Sequence, residues 1–218
     1  MNYQEISTSI LGAMERRPAD VSAYEDLLSL CINWAGEDFA AAHRESKQLR
    51  DKCSDMMEKV PPEAIGKFYA LWRRCLLFDA PYDFDSYLTY IELDRKMEKR
   101  FYQPRKHYLK RYVDAYQKIL DGELDFLSIS MPKRAGKSQL GINFTNMLSG
   151  KFPEKATLME GTGDDLVNSF YKGCLEYLQT PSEYLFYDVF PESKLVQTNA
   201  DTKTLNLKNR SRFPTIMC

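Results

Sequence analysis

Phe126-Leu127-Ser128-Ile129-Ser130-Met131-Pro132-Lys133-Arg134-Ala135-Gly136-Lys137-Ser138 is an alternating apolar run that breaks at a proline and ends in Gly-Lys-Ser. A helical pattern follows, with Leu140, Phe144, Met147 and Leu148 on one predicted face and a stop at Ser149-Gly150. Strand, loop and helix in that order are the context of a phosphate-binding loop. In such a loop backbone N–H groups and a helix N-terminus face an anion, Lys137 reaches the outer phosphates and the Ser138 hydroxyl holds Mg²⁺. The full pattern GxxxxGK[ST] starts on glycine; here that position is Met131, followed by Pro132, Lys133 and Arg134. The loop is therefore a deviant variety. A surface turn is the plainer reading of Gly136-Lys137-Ser138 alone, and the flanking strand and helix patterns argue against it.

Working outward, strand and helix patterns alternate after residue 100, which predicts an α/β unit with a parallel sheet. Ala156-Thr157-Leu158-Met159-Glu160 reads as a second strand. Gly161-Thr162-Gly163-Asp164-Asp165 then opens a helix with Leu166, Val167, Phe170, Tyr171, Cys174, Leu175 and Leu178 on one side. Thr162 and Asp165 have capping-box-like spacing, and the plain reading of Asp164 and Asp165 is as first-turn acids favoured by the helix dipole. Shorter apolar runs follow at 184–190, 195–196, 205–207 and 213–218, the last a strand at the chain end.

Before residue 100 the pattern is helical throughout. Ile6, Ile10, Leu11 and Met14 mark a first helix, Tyr24, Leu27, Leu28, Cys31 and Trp34 a second, and Leu49, Cys53, Met56 and Met57 the end of a third. Pro61-Pro62 interrupts; Ile65, Phe68, Tyr69, Trp72, Cys75 and Leu76 mark a fourth helix, Asp79-Ala80-Pro81 a turn, and Phe84, Tyr87, Leu88 and Ile91 a fifth. The expected organisation is a helical region over 1–100 and a partial ATPase domain over 101–218, cut before its acidic Walker B strand.

Composition narrows the function classes. The chain has 218 residues, 30 basic against 31 acidic, so a polyanion partner needs a local patch rather than an overall field. No apolar run approaches the ~18 residues of a membrane span, and the start Met1-Asn2-Tyr3-Gln4-Glu5 does not read as a secretory signal. Five scattered cysteines without CxxC spacing argue for reduced thiols rather than zinc or disulfides, and two histidines leave little for a histidine metal site.

Upstream of the loop, Phe101-Tyr102-Gln103-Pro104-Arg105-Lys106-His107 leads into a helix with Tyr108, Leu109, Tyr112, Val113, Tyr116, Ile119 and Leu120 expected inward. Gln103 or His107 could hydrogen-bond an adenine edge and Tyr102 could stack on it; a solvated helix start is the equal alternative. Arg95, Lys96, Lys99, Arg100, Arg105, Lys106, Lys110 and Arg111 interleave with aromatics here, a weak nucleic-acid signal against the plainer reading of a solvated face. Phosphoryl transfer also needs an acid beside Mg²⁺ and a carboxylate to orient water. Glu160, Asp164, Asp165, Asp188 and Glu192 do not stand on a clean hydrophobic strand. Binding without efficient hydrolysis is the expectation for these residues alone.

The helix with Gln103 and His107, the loop Met131–Ser138, the turn Gly161–Leu166 and Val189-Phe190-Pro191-Glu192 together resemble the N-terminal part of the ATPase domain of tailed-phage terminase large subunits. The likeness covers residues 101–218. It implies a truncated RecA-like P-loop fold with flanking helices, and ATP with Mg²⁺ as cofactors. It also implies a nucleotide site of Met131, Pro132, Lys133, Arg134, Ala135, Gly136, Lys137 and Ser138, with Lys133, Arg134 and Lys137 catalytic and Ser138 on the metal. Family membership would further imply double-stranded DNA, a portal protein and a small terminase subunit as partners, an oligomeric ring on the portal, no membrane, the host cytoplasm as location, and a nuclease domain elsewhere in the whole protein. Rival readings are a helicase- or kinase-like P-loop enzyme and a non-enzymatic docking module with a vestigial loop.

Overall fold

In the computed structural model, which describes residues 2–208 and 213–218, the chain forms two units, Met1–Asp79 and Ala80–Cys218. The first is a helical bundle: α1 (Tyr3–Arg16), α2 (Val21–Trp34), α3 (Phe39–Met57) and α4 (Pro62–Asp79). Each of the first three starts at a side chain that accepts from its own first turn, Asn2 from Glu5 N–H, Asp20 from Ser22 N–H and Asp38 from Ala41 N–H. Such caps satisfy donors that a helix start leaves bare. Pro62 opens α4, where its missing N–H costs nothing. Leu27, Leu28, Leu49, Cys53, Phe68, Leu71 and Cys75 fill the core. Ile65 and Tyr69, on the apolar stripe that marks this helix in the sequence, are exposed; α4 turns its Phe68-Leu71-Cys75 face inward instead. Buried polar groups here are paired. Ser7 Oγ donates to Glu45 Oε1 at 2.9 Å, and Asp79 Oδ1 lies 2.7 Å from His43 Nδ1.

The second unit begins at Ala80, about twenty residues before the change of character read near residue 100. The fifth helix, α5 (Phe84–Ile91), is the reason. All its residues are buried, and Phe84 meets the Phe144 ring edge-on at 5.2 Å and the Tyr116 ring at 5.6 Å. After short 3₁₀ turns at Met97–Lys99 and Gln103–Arg105 come α6 (Lys106–Leu120), α7 (Lys137–Lys151), β1 (Thr157–Leu158), α8 (Asp164–Gln179), α9 (Phe186–Val189), β2 (Leu195–Asn199), β3 (Thr204–Leu207) and β4 (Ile216–Met217). The unit is thus mixed α/β. Of the expected inward face of α6, only Leu109 and Val113 are fully buried.

The sheet differs from the parallel arrangement read from the sequence. Its order is β1-β4-β3-β2, with β1 parallel to β4 (Thr157 opposite Ile216) and the other two pairings antiparallel. β2 and β3 close on each other as a hairpin, a local solution that the 3–5-residue spacing between them allows. The expected first strand, Phe126–Met131, has no ladder partner among the described residues, and Phe126 is 80% exposed. Its alternation survives, with Leu127, Ile129 and Met131 half-buried between exposed neighbours.

Helix α7 is not the one-faced amphipathic helix the spacing predicted. Leu140, Ile142, Phe144 and Met147 are buried, but so are Asn143, Thr145, Asn146, Ser149 and Gly150, while Leu148 is only half-buried. Neighbours therefore cover it nearly all round. At its far end the Phe190 ring lies so close that a Cβ on Gly150 would sit 2.2 Å from it, so glycine is required there by contact.

Candidate nucleotide-binding site

The loop of residues 131–136 delivers the start of α7 through two left-handed residues. Ala135 N–H donates to Pro132 O at 3.3 Å to close a turn, Arg134 has φ +65° and Gly136 φ +101°. For glycine that backbone is free; for arginine it costs about 1–2 kcal/mol. Strain of this kind persists where surrounding structure holds it, and it clusters at binding sites. Gly136 caps α7 with no side-chain acceptor, and the first intrahelical bond runs from Leu140 N–H to Gly136 O at 2.9 Å. The amides of Lys137, Ser138 and Gln139 are accordingly uncommitted at the positive end of the helix dipole.

The side chains match that arrangement. Pro132, Lys133, Arg134, Lys137 and Ser138 are exposed, Met131, Ala135 and Gly136 half-buried. Lys133, Arg134, Lys137 and Ser138 make no ion pair or side-chain hydrogen bond with the described residues. Lys137, Leu127, Ile129, Tyr116, Ile119 and Phe144 line an open groove of about 400 Å³ on one side of α7. On another side Gln139 faces a polar groove of about 500 Å³ whose α8 wall includes Asp165, Asn168, Lys172 and Glu176. Asp165 thereby shares a groove with Gln139 of the first turn of α7, while Glu160 and Asp164 are exposed outside that groove. Among the described residues no three His, Cys, Asp or Glu side chains cluster as a metal site.

The structure also brings Phe101 to the loop, a residue the sequence reading gave only as one of the aromatics interleaved with a basic run. A Cβ built on Gly136 would lie 2.8 Å from Phe101 Cε2, so the Phe101 ring rests directly on the loop glycine. The Arg105 guanidinium lies 5.7 Å from the Phe101 ring centre, with Nη1 donating to Phe101 O at 3.0 Å. Gln103 is half-buried in the following turn; His107 is exposed, its ring edge-on to Tyr108 at 5.0 Å. Tyr102 is not available for stacking. It is fully buried, its hydroxyl donates to Asp85, and burial raises its pKa well above the ordinary value.

Two further expectations change. The Thr162–Asp165 capping box does not form, because Gly163 occupies the N-cap of α8 without a side-chain cap. The basic and aromatic stretch is largely committed within the fold. Arg95 pairs with Glu92 at 3.1 Å, Lys99 with Glu183 at 3.4 Å, Lys106 with Asp85 at 2.9 Å, and Lys110 with Asp114. Arg100 donates to the carbonyls of Leu93 and Arg95, and Arg111 to the Tyr112 hydroxyl. Among the described residues no helix is long and apolar enough to cross a membrane. Compared with known proteins, the chain matches no family model, no curated protein and no solved structure.

Proposed function

We propose that residues 131–138 bind the phosphates of ATP with Mg²⁺, as the nucleotide-binding part of a motor that packages double-stranded viral DNA. The observation that carries the nucleotide reading is Gly136 at φ +101° opening α7 onto exposed, uncommitted Lys137 and Ser138. Lys137 supplies charge to the outer phosphates, Ser138 one ligand to Mg²⁺, and the loop cations Lys133 and Arg134 face charge that develops in phosphoryl transfer. Gln103 and His107, which follow Phe101 in the chain, are the donors for a base edge. In this reading the parallel pair β1 and β4, joined through α8, α9 and the β2–β3 hairpin, belongs to a RecA-like sheet, and Phe126–Met131 is its loop-bearing segment. The motor assignment rests on the terminase-like motifs, as do DNA, portal and small-subunit partners and a host-cytoplasm location.

Labelled ATP in a filter-binding assay tests the reading, with unlabelled ATP and AMP as competitors. Displacement by ATP but not AMP is expected; absence of binding by the folded chain would leave the docking-module alternative with a vestigial loop. Phosphate release, with and without double-stranded DNA, then separates binding from turnover. These residues alone are expected to turn over slowly. Brisk turnover that is lost in Asp165→Asn would instead make Asp165, beside Gln139, the metal-side acid.

A further inference from the structure

Glu92 lies just past the end of α5 and is 2% exposed. A buried carboxylate needs partners to offset lost hydration, and this one has several. Glu92 Oε2 accepts from Phe101 N–H at 2.7 Å and from Tyr102 N–H at 3.1 Å, and Oε1 accepts from Arg95 Nη1 at 3.1 Å. Burial pushes its pKa upward, and the Tyr102 and Phe101 amides and Arg95 act against that. The two amides it holds belong to the residue seated on Gly136 and to its neighbour.

Arg95 extends the connection toward Gln139 of α7. Its Nη1 also donates to the Tyr184 hydroxyl at 2.6 Å, and its guanidinium lies 4.4 Å from the Tyr184 ring centre. The Tyr184 ring stacks on Tyr177 at 3.9 Å, and the Tyr177 hydroxyl accepts from Gln139 Nε2 at 3.0 Å. Gln139 follows Ser138. A closed circuit therefore runs from Gly136 through Phe101, Glu92, Arg95, Tyr184 and Tyr177 back to Gln139, and it grips the first turn of α7 from both ends.

We propose that Glu92 is a positioning residue for the phosphate-binding loop: it fixes the Phe101 backbone so that the Phe101 ring seats Gly136 and holds the α7 amides in register for an anion. Its consequence for nucleotide affinity rests on the proposed function above; the positioning itself does not.

The test uses the whole chain as wild type, Glu92→Gln and Phe101→Leu. Site-resolved amide hydrogen exchange is read at Ala135 and Leu140, whose N–H groups donate to Pro132 O and Gly136 O, and, as reference, along α8, beside a titration with MgATP. Loss of a charge-assisted hydrogen bond or of the seating ring should speed exchange at Ala135 and Leu140 about tenfold while α8 keeps its wild-type rates, and weaken MgATP by a similar factor. Phe101→Leu covers the case in which Glu92→Gln does not fold. Unchanged exchange at Ala135 and Leu140, or a uniform rise over 80–218, overturns the positioning role. If wild type ignores MgATP yet exchange rises only at Ala135 and Leu140, the positioning stands and the nucleotide reading falls. If MgATP binds in a Lys137-dependent way and exchange does not move, the reverse holds.

Discussion

The bundle core around α2, α3 and α4 and the helix α7 are both deeply buried, and they are built on opposite principles. In the first unit the interior polar atoms have partners, as in Ser7 with Glu45 and His43 with Asp79. In the second, α7 buries Asn143, Asn146 and Ser149 with side-chain atoms that find no hydrogen-bond partner among the described residues, while its start bares Lys137 and Ser138 beside two left-handed residues. An unpaired buried polar atom costs about 1–3 kcal/mol, so α7 is a helix whose sequence does not maximise stability. Stability conceded in one element and not in another is the pattern expected where a site is carried.

The contrast breaks most visibly by substitution in the bundle. Phe68 is fully buried with its ring edge-on to Tyr24 at 5.1 Å. Phe68→Ala should destabilise the first unit by about 3–5 kcal/mol in urea unfolding; a loss under about 1 kcal/mol would mean that this core is loosely packed. In α7 the sign should reverse. Asn146→Leu removes a fully buried amide whose nitrogen and oxygen both lack partners among the described residues. It should stabilise the second unit by about 1–2 kcal/mol, and a destabilised variant would show that an unseen partner satisfies the amide.

Thiol chemistry sharpens the comparison without altering the fold. Burial pushes Cys31 and Cys53 up to about 12 and Cys218 up to about 11, and raises Cys75 and Cys174 further. Alkylation proceeds through the thiolate. At pH 8 the native protein should label first at half-buried Cys218, with all five cysteines labelling after unfolding. Because pH 8–10 lies below these values, each native rate should climb about tenfold per pH unit. Mass spectrometry of the labelled peptides checks this, and early labelling of Cys31 or Cys53 would contradict the closed bundle core.

What the sequence disclosed follows the range of the interactions involved. Helices α1 to α5 were legible because their periodicity is local, and the turn at Gly136 because glycine, lacking a Cβ, takes the positive φ found there. The sheet was not, since β1 meets β4 across an intervening α8 and a hairpin, and period-2 alternation in Phe126–Met131 does not name a partner. Buried Asn143 and Asn146 hid the all-round burial of α7, because polar residues read as a solvated face. Tyr102 looked available for stacking, and only its contact with Asp85 shows it to be structural. Phe101 and Glu92 carried no motif; a bare aromatic and an acid at a helix end gain meaning only once Gly136 lies beneath the ring.

The central claim is that the start of α7 is a triphosphate site in which Lys137 supplies charge. Calorimetric titration of MgATP into the folded wild type and into Lys137→Ala tests it most directly. Lys137 is exposed, so its removal should leave thermal unfolding unchanged. The wild type should bind at one site in the micromolar range, about −8 kcal/mol, and the variant should show no measurable binding. Equal affinity in the two folded proteins would contradict the assignment of this loop.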